Sequence, residues 1–125
     1  MKKQNVSTLK RKADQIFSLY IRTRDSGRCI SCGTIKEITR VQCGHYISRS
    51  HNSLRYDERN CNAQCVGCNI FKSGAMDNYA LALIKKYGRK ILEELAKEKR
   101  KVKQWTVAEL QALIEEYQEK LSNLP

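Results

Sequence analysis

Cys29-Ile30-Ser31-Cys32 and Cys65-Val66-Gly67-Cys68 decide how this chain is read. Each Cys-x-x-Cys pair can turn two thiolates toward one tetrahedral ion, and zinc, which thiolates bind at about 2.3 Å, is the ion that fits. Four thiolates leave no coordination position for water or substrate, so such a zinc is structural rather than catalytic. The 32 residues between the pairs exceed what a compact zinc ribbon spans, so a segment of its own is inserted there. A redox dithiol is the other use of such a pair; two pairs, with a glycine inside one and just after the other, favour the metal. Cys43 and Cys61 are left over and read as small buried apolar side chains rather than ligands.

Outward from the knuckles, the chain has 125 residues, 41% apolar and only 7% aromatic, enough for one domain with a modest core that a metal or a partner would help to hold. Its 24 Lys and Arg against 13 Asp and Glu give a formal charge of +11. That excess calls for a polyanionic partner, nucleic acid being the commonest, with solvated lysine faces as the alternative. The distribution favours a partner, because Lys2, Lys3, Lys10, Arg11, Lys12, Arg22, Arg24 and Arg28 are offset only by Asp14 and Asp25 in the first 28 residues. No stretch approaches the roughly 18 apolar residues of a membrane span, and no apolar segment of the secretory-signal kind follows the N-terminal charges. A cytoplasmic location is therefore expected, with no membrane contact and with reduced cysteines.

The flanks read as helices around an irregular centre, with a core over about 25–75 and flanking helices over about 8–24 and 76–122 of a single 1–125 domain. Leu9, Ala13, Ile16, Phe17, Tyr20 and Ile21 recur at helical spacing, and Ser26-Gly27 ends that helix. A second helix is expected from Met76 to Tyr87, with Asp77 as N-cap and Gly88 just past its end, and a third from Arg89 to Lys103. The last, Val107 to Leu121, is signalled by a Thr106/Glu109 capping box and a Trp105/Leu110 hydrophobic staple. Its stripe of Val107, Leu110, Ile114, Tyr117 and Leu121 must pack on something. The basic run Lys97 to Lys103 suits either a phosphate backbone or plain solvent.

Between the knuckles lie both histidines, His45 and His51. His45 follows a β-prone stretch, Thr39 to Cys43, and precedes polar and basic residues, a setting in which an imidazole that titrates near neutrality can serve as a general base. Arg49, Arg55 and Arg59 share the segment, and a guanidinium matches phosphate bidentately.

The order Cys29-x-x-Cys32, His45, Asn60, Cys65-x-x-Cys68, Asn69, with Lys72 three beyond, resembles the HNH branch of the His-Me finger endonucleases. With the flanks Ala13 to Asp25, Gly44 to Ser50, Leu54 to Asn60 and Lys72 to Ala75 included, the chain is similar to the phage NinG/Rap recombination endonucleases over about Ala13 to Gly88. The resemblance implies an α+β fold: a zinc-stabilised ββα-metal core with an N-terminal helix and a C-terminal helical extension. It implies a metal-dependent endonuclease that hydrolyses phosphodiester bonds in branched DNA such as D-loops and Holliday junctions. In that reading Cys29, Cys32, Cys65 and Cys68 hold the structural Zn²⁺ and His45 is the base at the end of the first strand. Asn60 is the central Asn, and Asn69 binds a catalytic Mg²⁺ or Mn²⁺. Arg49, Arg55, Arg59 and Lys72 contact DNA. Gly44 departs from the pattern, since many such enzymes place a metal-binding Asp or His directly before the base; His51, Asp57 and Asp77 are alternative ligands. The rival readings are a non-catalytic zinc module that binds DNA and a module that docks a recombinase partner. A symmetric junction nuclease would work as a homodimer, with the Val107 to Leu121 stripe as candidate interface.

Overall fold

The computed structural model describes residues 4–125, so Lys2 and Lys3 of the basic N-terminal stretch lie outside the described residues. Asn5 opens helix α1, Val6–Arg24, by accepting the Thr8 backbone N–H at 2.8 Å, which starts the helix before the first apolar repeat. Leu9, Ala13, Phe17 and Ile21 bury one stripe of it.

A 3₁₀ turn at Ile38–Arg40 feeds strand β1, Val41–His45. The β-prone stretch Thr39 to Cys43 thus becomes a strand two residues later than its composition suggests, and His45 is the strand's last residue. Strand β2, Cys61–Cys65, pairs with it antiparallel from Val41↔Cys65 to His45↔Cys61. All five residues of β2 are buried, including Asn62 and Gln64. A single π-helical turn, Gly67–Phe71, follows, then α2, Met76–Tyr87, α3, Ile91–Lys99, and α4, Val107–Ser122. The architecture is α+β: helices around a small two-stranded sheet.

Two apolar clusters organise it. The first joins α1 and α4 to Tyr56 and Cys61, with Phe17 edge-on to Tyr56 at 5.5 Å and to Tyr117 at 4.9 Å. The second joins α2 and α3 through Tyr79, Leu83, Ile91 and Leu95 to Leu54 in the inserted loop. Glu58 of that loop ties the two ends of the chain, accepting from Tyr117 and Lys120 on α4 at 2.9 Å each, while its carbonyl accepts from Arg24 at 3.1 Å.

The capping box is present: Glu109 N–H donates to Thr106 Oγ1 at 3.2 Å and Thr106 N–H to Glu109 Oε1 at 3.1 Å. The α4 stripe is spent inside the chain, with Leu110, Leu113 and Tyr117 buried against α1, so it is not the free dimer interface that its periodicity suggests. Asp77 does not cap α2. Ala75 holds the cap position in the left-handed region at φ 46°, and Asp77 sits in the first turn, where its charge meets the positive end of the helix dipole. The third helix is shorter than the reach from Arg89 to Lys103, because tertiary bonds overrule it: Asn52 Nδ2 donates to the Lys103 carbonyl at 3.1 Å and the Lys103 ammonium lies 4.6 Å from the Trp105 ring centre. No helix among the described residues is long and apolar enough to cross a membrane.

Candidate metal centre and cleft

The ligand atoms of Cys29, Cys32, Cys65 and Cys68 all lie within 4.8 Å of one another. Cys32 Sγ and Cys65 Sγ are 3.8 Å apart, the spacing that two thiolates at about 2.3 Å from a tetrahedral ion require. Each knuckle is built by its backbone: Gly33 N–H donates to the Cys29 carbonyl at 2.8 Å, and Gly74 N–H to the Cys68 carbonyl at 2.8 Å. Gly27 must be glycine, since φ is +73° and a Cβ would fall 1.9 Å from the Lys36 carbonyl oxygen. Gln64 joins the two halves, its Nε2 donating to Ser31 Oγ and to the Gly74 carbonyl at 2.7 Å each. Hydrogen bonds from Thr34 bring the Cys32 thiol down to about 6, so a thiolate exists there at neutral pH. Burial and the neighbouring cysteines push Cys68 up to about 12. The cluster is compatible with a structural zinc, as its spacing in sequence predicts.

A cleft of about 650 Å³ opens beside this centre between α1, β1 and the π turn. His45, Arg49, Arg55 and Asn69 line it, so four residues singled out in sequence come together. His45 Nε2 is 3.0 Å from the Arg55 carbonyl oxygen. A carbonyl only accepts, so Nε2 carries the proton and Nδ1 keeps the lone pair. Burial holds the His45 pKa below its usual 6.5, helped by the charges of Arg49 and Arg55 and opposed by that hydrogen bond, so the ring is neutral at neutral pH.

Asn60 does not line the cleft; it is fully buried beneath it. Its Oδ1 accepts from Ile47 N–H at 2.9 Å, and its Nδ2 donates to the carbonyls of Ile47 at 2.9 Å and Leu54 at 3.4 Å. One side chain thereby pins the loop that carries the Arg55 carbonyl. Asn69, in the π turn, donates from Nδ2 to Gln42 Oε1 at 2.7 Å, leaving outside that bond its carbonyl oxygen, the atom a hard cation takes.

The four basic residues assigned to DNA part company. Arg49 lines the cleft with 62% of its side chain exposed. Arg55 is clamped on Asp14 of α1, at 2.9 Å from Nε and 2.5 Å from a terminal nitrogen. Arg59 lies away from the cleft lining and pairs with Asp57 and Glu94. Lys72 lines a separate depression together with Asp77. His51, Asp57 and Asp77 are all absent from the cleft lining, whose one carboxylate is Asp14. Tyr56 also donates to Asp14, at 2.9 Å. Gly44 has a physical reason as well: a Cβ there would fall 1.9 Å from Gln64 Oε1, so a ligand-bearing side chain has no room at that position.

Sequence reasoning missed Asp14 and Gln42, and it set Cys43 and Cys61 aside. Cys43, His45 and Cys61 bring their ligand atoms within 4.8 Å of one another at the base of the cleft. The available signal was the Cys43-x-His45 alternation, which places both on one face of a strand.

The whole chain, residues 1–125, matches the family described as the bacteriophage lambda NinG protein. Over 116 residues, 91% of the chain, it is 38% identical to the NinG protein of Escherichia phage 933W, covering 57% of that relative. It is 38% identical to NinG of Salmonella phage P22 and 37% identical to NinG of Escherichia phage lambda, covering 56% of each. The chain thus spans just over half the length of these relatives, all of them phage proteins. No solved structure matches it. A match that extends from the first residue to the last places this chain in the NinG family.

Proposed function

We propose that this NinG family member is a metal-dependent DNA endonuclease of the HNH type, acting on branched recombination intermediates. The observation that carries the reading is the His45–Arg55 hydrogen bond: it fixes a neutral imidazole at the end of β1 with Nδ1 free to accept a proton, inside a cleft edged by Arg49. The two strands followed by a helical turn bearing Asn69 have the order expected of a ββα-metal core. The net charge of +11 supports a polyanionic substrate.

Hydrolysis of a phosphodiester needs a deprotonated water, relief of phosphate charge and stabilisation of the leaving oxygen. His45 Nδ1 takes the proton from the attacking water, and general-base assistance of this kind is worth roughly 10²–10⁴-fold. The Arg55 carbonyl orients the ring, and Asn60 holds the loop that supplies the carbonyl. Arg49 binds phosphate next to the cut. Asn69 offers a carbonyl oxygen of the kind a hard cation takes, and a bound Mg²⁺ or Mn²⁺ would neutralise charge on the phosphate and the leaving group. In this reading Phe71, 82% exposed and next in sequence to the cleft residue Ile70, stacks on an unpaired base where strands branch. Cys29, Cys32, Cys65 and Cys68 would hold a zinc that braces the core and leaves no coordination position for substrate. A recombinase partner and a homodimer both belong to this reading, the latter through a surface other than the α4 stripe.

One observation favours a second reading, a zinc module that binds DNA without cutting it. Asp14, the one carboxylate in the cleft lining, is already neutralised by Arg55 and Tyr56. The zinc-loaded protein, mixed with a labelled four-way junction or a linear duplex in Mg²⁺, Mn²⁺ or EDTA, separates the two. Cation-dependent cutting that favours the junction supports the nuclease, and tight binding with no cutting in any cation moves the conclusion to the binding module.

A further inference from the structure

Cys43 and Cys61 have no part in the mechanism above, yet their position is specific. His45 lies directly opposite Cys61 in the ladder, and Cys43 is two residues before His45 on the same strand face. The three ligand atoms lie within 4.8 Å of one another, the same bound that holds for the four-cysteine cluster, and a tetrahedral zinc asks for donors about 3.5–3.8 Å apart. Cys61 is fully buried, and Cys43 and His45 are half-buried and line the cleft.

We propose that Cys43, His45 and Cys61 form a second, three-ligand zinc site whose fourth position opens into the cleft. Two thiolates and an imidazole are a soft donor set that selects Zn²⁺ over Mg²⁺ or Mn²⁺. Three protein ligands with one open position contrast with the closed four-cysteine centre. The Arg55 carbonyl is the outer acceptor that a metal-bound imidazole commonly has, and it leaves Nδ1 as the ligating nitrogen. One lone pair cannot bind zinc and accept a proton at once. Occupation of this site therefore switches off His45 as a base, making the cleft zinc-inhibited. The binding claim stands on the cluster alone; only its effect on cutting rests on the nuclease reading.

The test counts metal. Wild type and Cys43→Ser are titrated with Zn²⁺ and followed by native mass spectrometry, with Co²⁺ absorption reporting thiolate ligation. His45→Gln serves as a second variant should the serine disturb folding. The expected result is two zinc ions per wild-type chain and one per variant chain. One zinc in wild type, or two in folded variants of both kinds, overturns the proposal. In Mn²⁺, the second equivalent of zinc should slow wild-type cutting by the roughly 10²–10⁴-fold that loss of a general base costs. Unchanged cutting with two zinc ions bound would overturn the switch. A protein that binds two zinc ions but never cuts would retain the site and sink the nuclease reading instead.

Discussion

Arg55 orients His45 through its backbone and is itself oriented by Asp14 through its side chain: its carbonyl accepts from His45 Nε2 at 3.0 Å, and its guanidinium holds Asp14 at 2.9 and 2.5 Å. Helix α1 therefore reaches the imidazole through one residue of the inserted loop. The first helix and the inserted loop depend on each other at the site, although 41 positions separate Asp14 from Arg55.

Asn60→Ala removes the bonds to the Ile47 N–H and carbonyl, leaving these partly buried groups without that partner, while the Leu54 carbonyl keeps the Asp57 N–H. Each such group costs about 1–3 kcal/mol, so the urea midpoint should drop markedly with little change in slope. An unchanged midpoint would mean that the loop is held by other contacts.

Glu58 adds one acid-sensitive contribution to the fold. Burial alone would raise its pKa, but the hydrogen bonds from Lys120 and Tyr117 outweigh burial and hold it below the usual 4.5. A carboxyl depressed in the folded state binds fewer protons there than in the unfolded chain. Its stabilising contribution is therefore complete above pH about 4.5 and is lost as pH falls through the lower, folded value. Glu58→Gln should flatten the acid limb of a stability–pH curve measured by chemical denaturation; an identical limb would contradict this.

Removing a zinc held by Cys29, Cys32, Cys65 and Cys68 should collapse the knuckles. A ligand present at ~1,000 times its Kd adds about 4 kcal/mol, so removal should lower Tm by on the order of 10 °C or more. Cys68→Ser should behave like the chelated protein, and a Tm insensitive to both would remove zinc from the account.

Arg49 and Arg59 should differ in DNA binding. Each phosphate contact contributes about 0.9 to the slope of log affinity against log salt. Arg49→Ala should lose about one such contact. Arg59→Ala should leave the slope unchanged, because Asp57 and Glu94 hold that guanidinium at 3.2 and 3.0 Å, whereas Arg49 is only loosely paired, with Asp14 at 3.7 Å. Equal effects would show that the binding surface extends beyond the cleft.

What sequence could reveal follows the range of the interactions. The four-cysteine cluster was legible because spacing alone encodes it, and α4 because its capping box and staple span only a few residues. The grouping of Cys43 with Cys61 required strand register, which nothing local specifies. Asp14 entered the cleft through a partner far along the chain, and α3 stopped at Lys99, short of the Lys103 carbonyl that Asn52 takes. Asp77 looked like a cap because its residue type suits one, but the glycine–alanine turn before it set the start of α2.

The decisive comparison is His45→Ala with wild type on the labelled four-way junction in Mn²⁺, after both proteins have been loaded with zinc at the four cysteines. The variant is expected to fold, keep that zinc and bind the junction with nearly wild-type affinity, while cutting falls by roughly 10²–10⁴-fold. Cutting by the variant at the wild-type rate would contradict the role of His45 as the base.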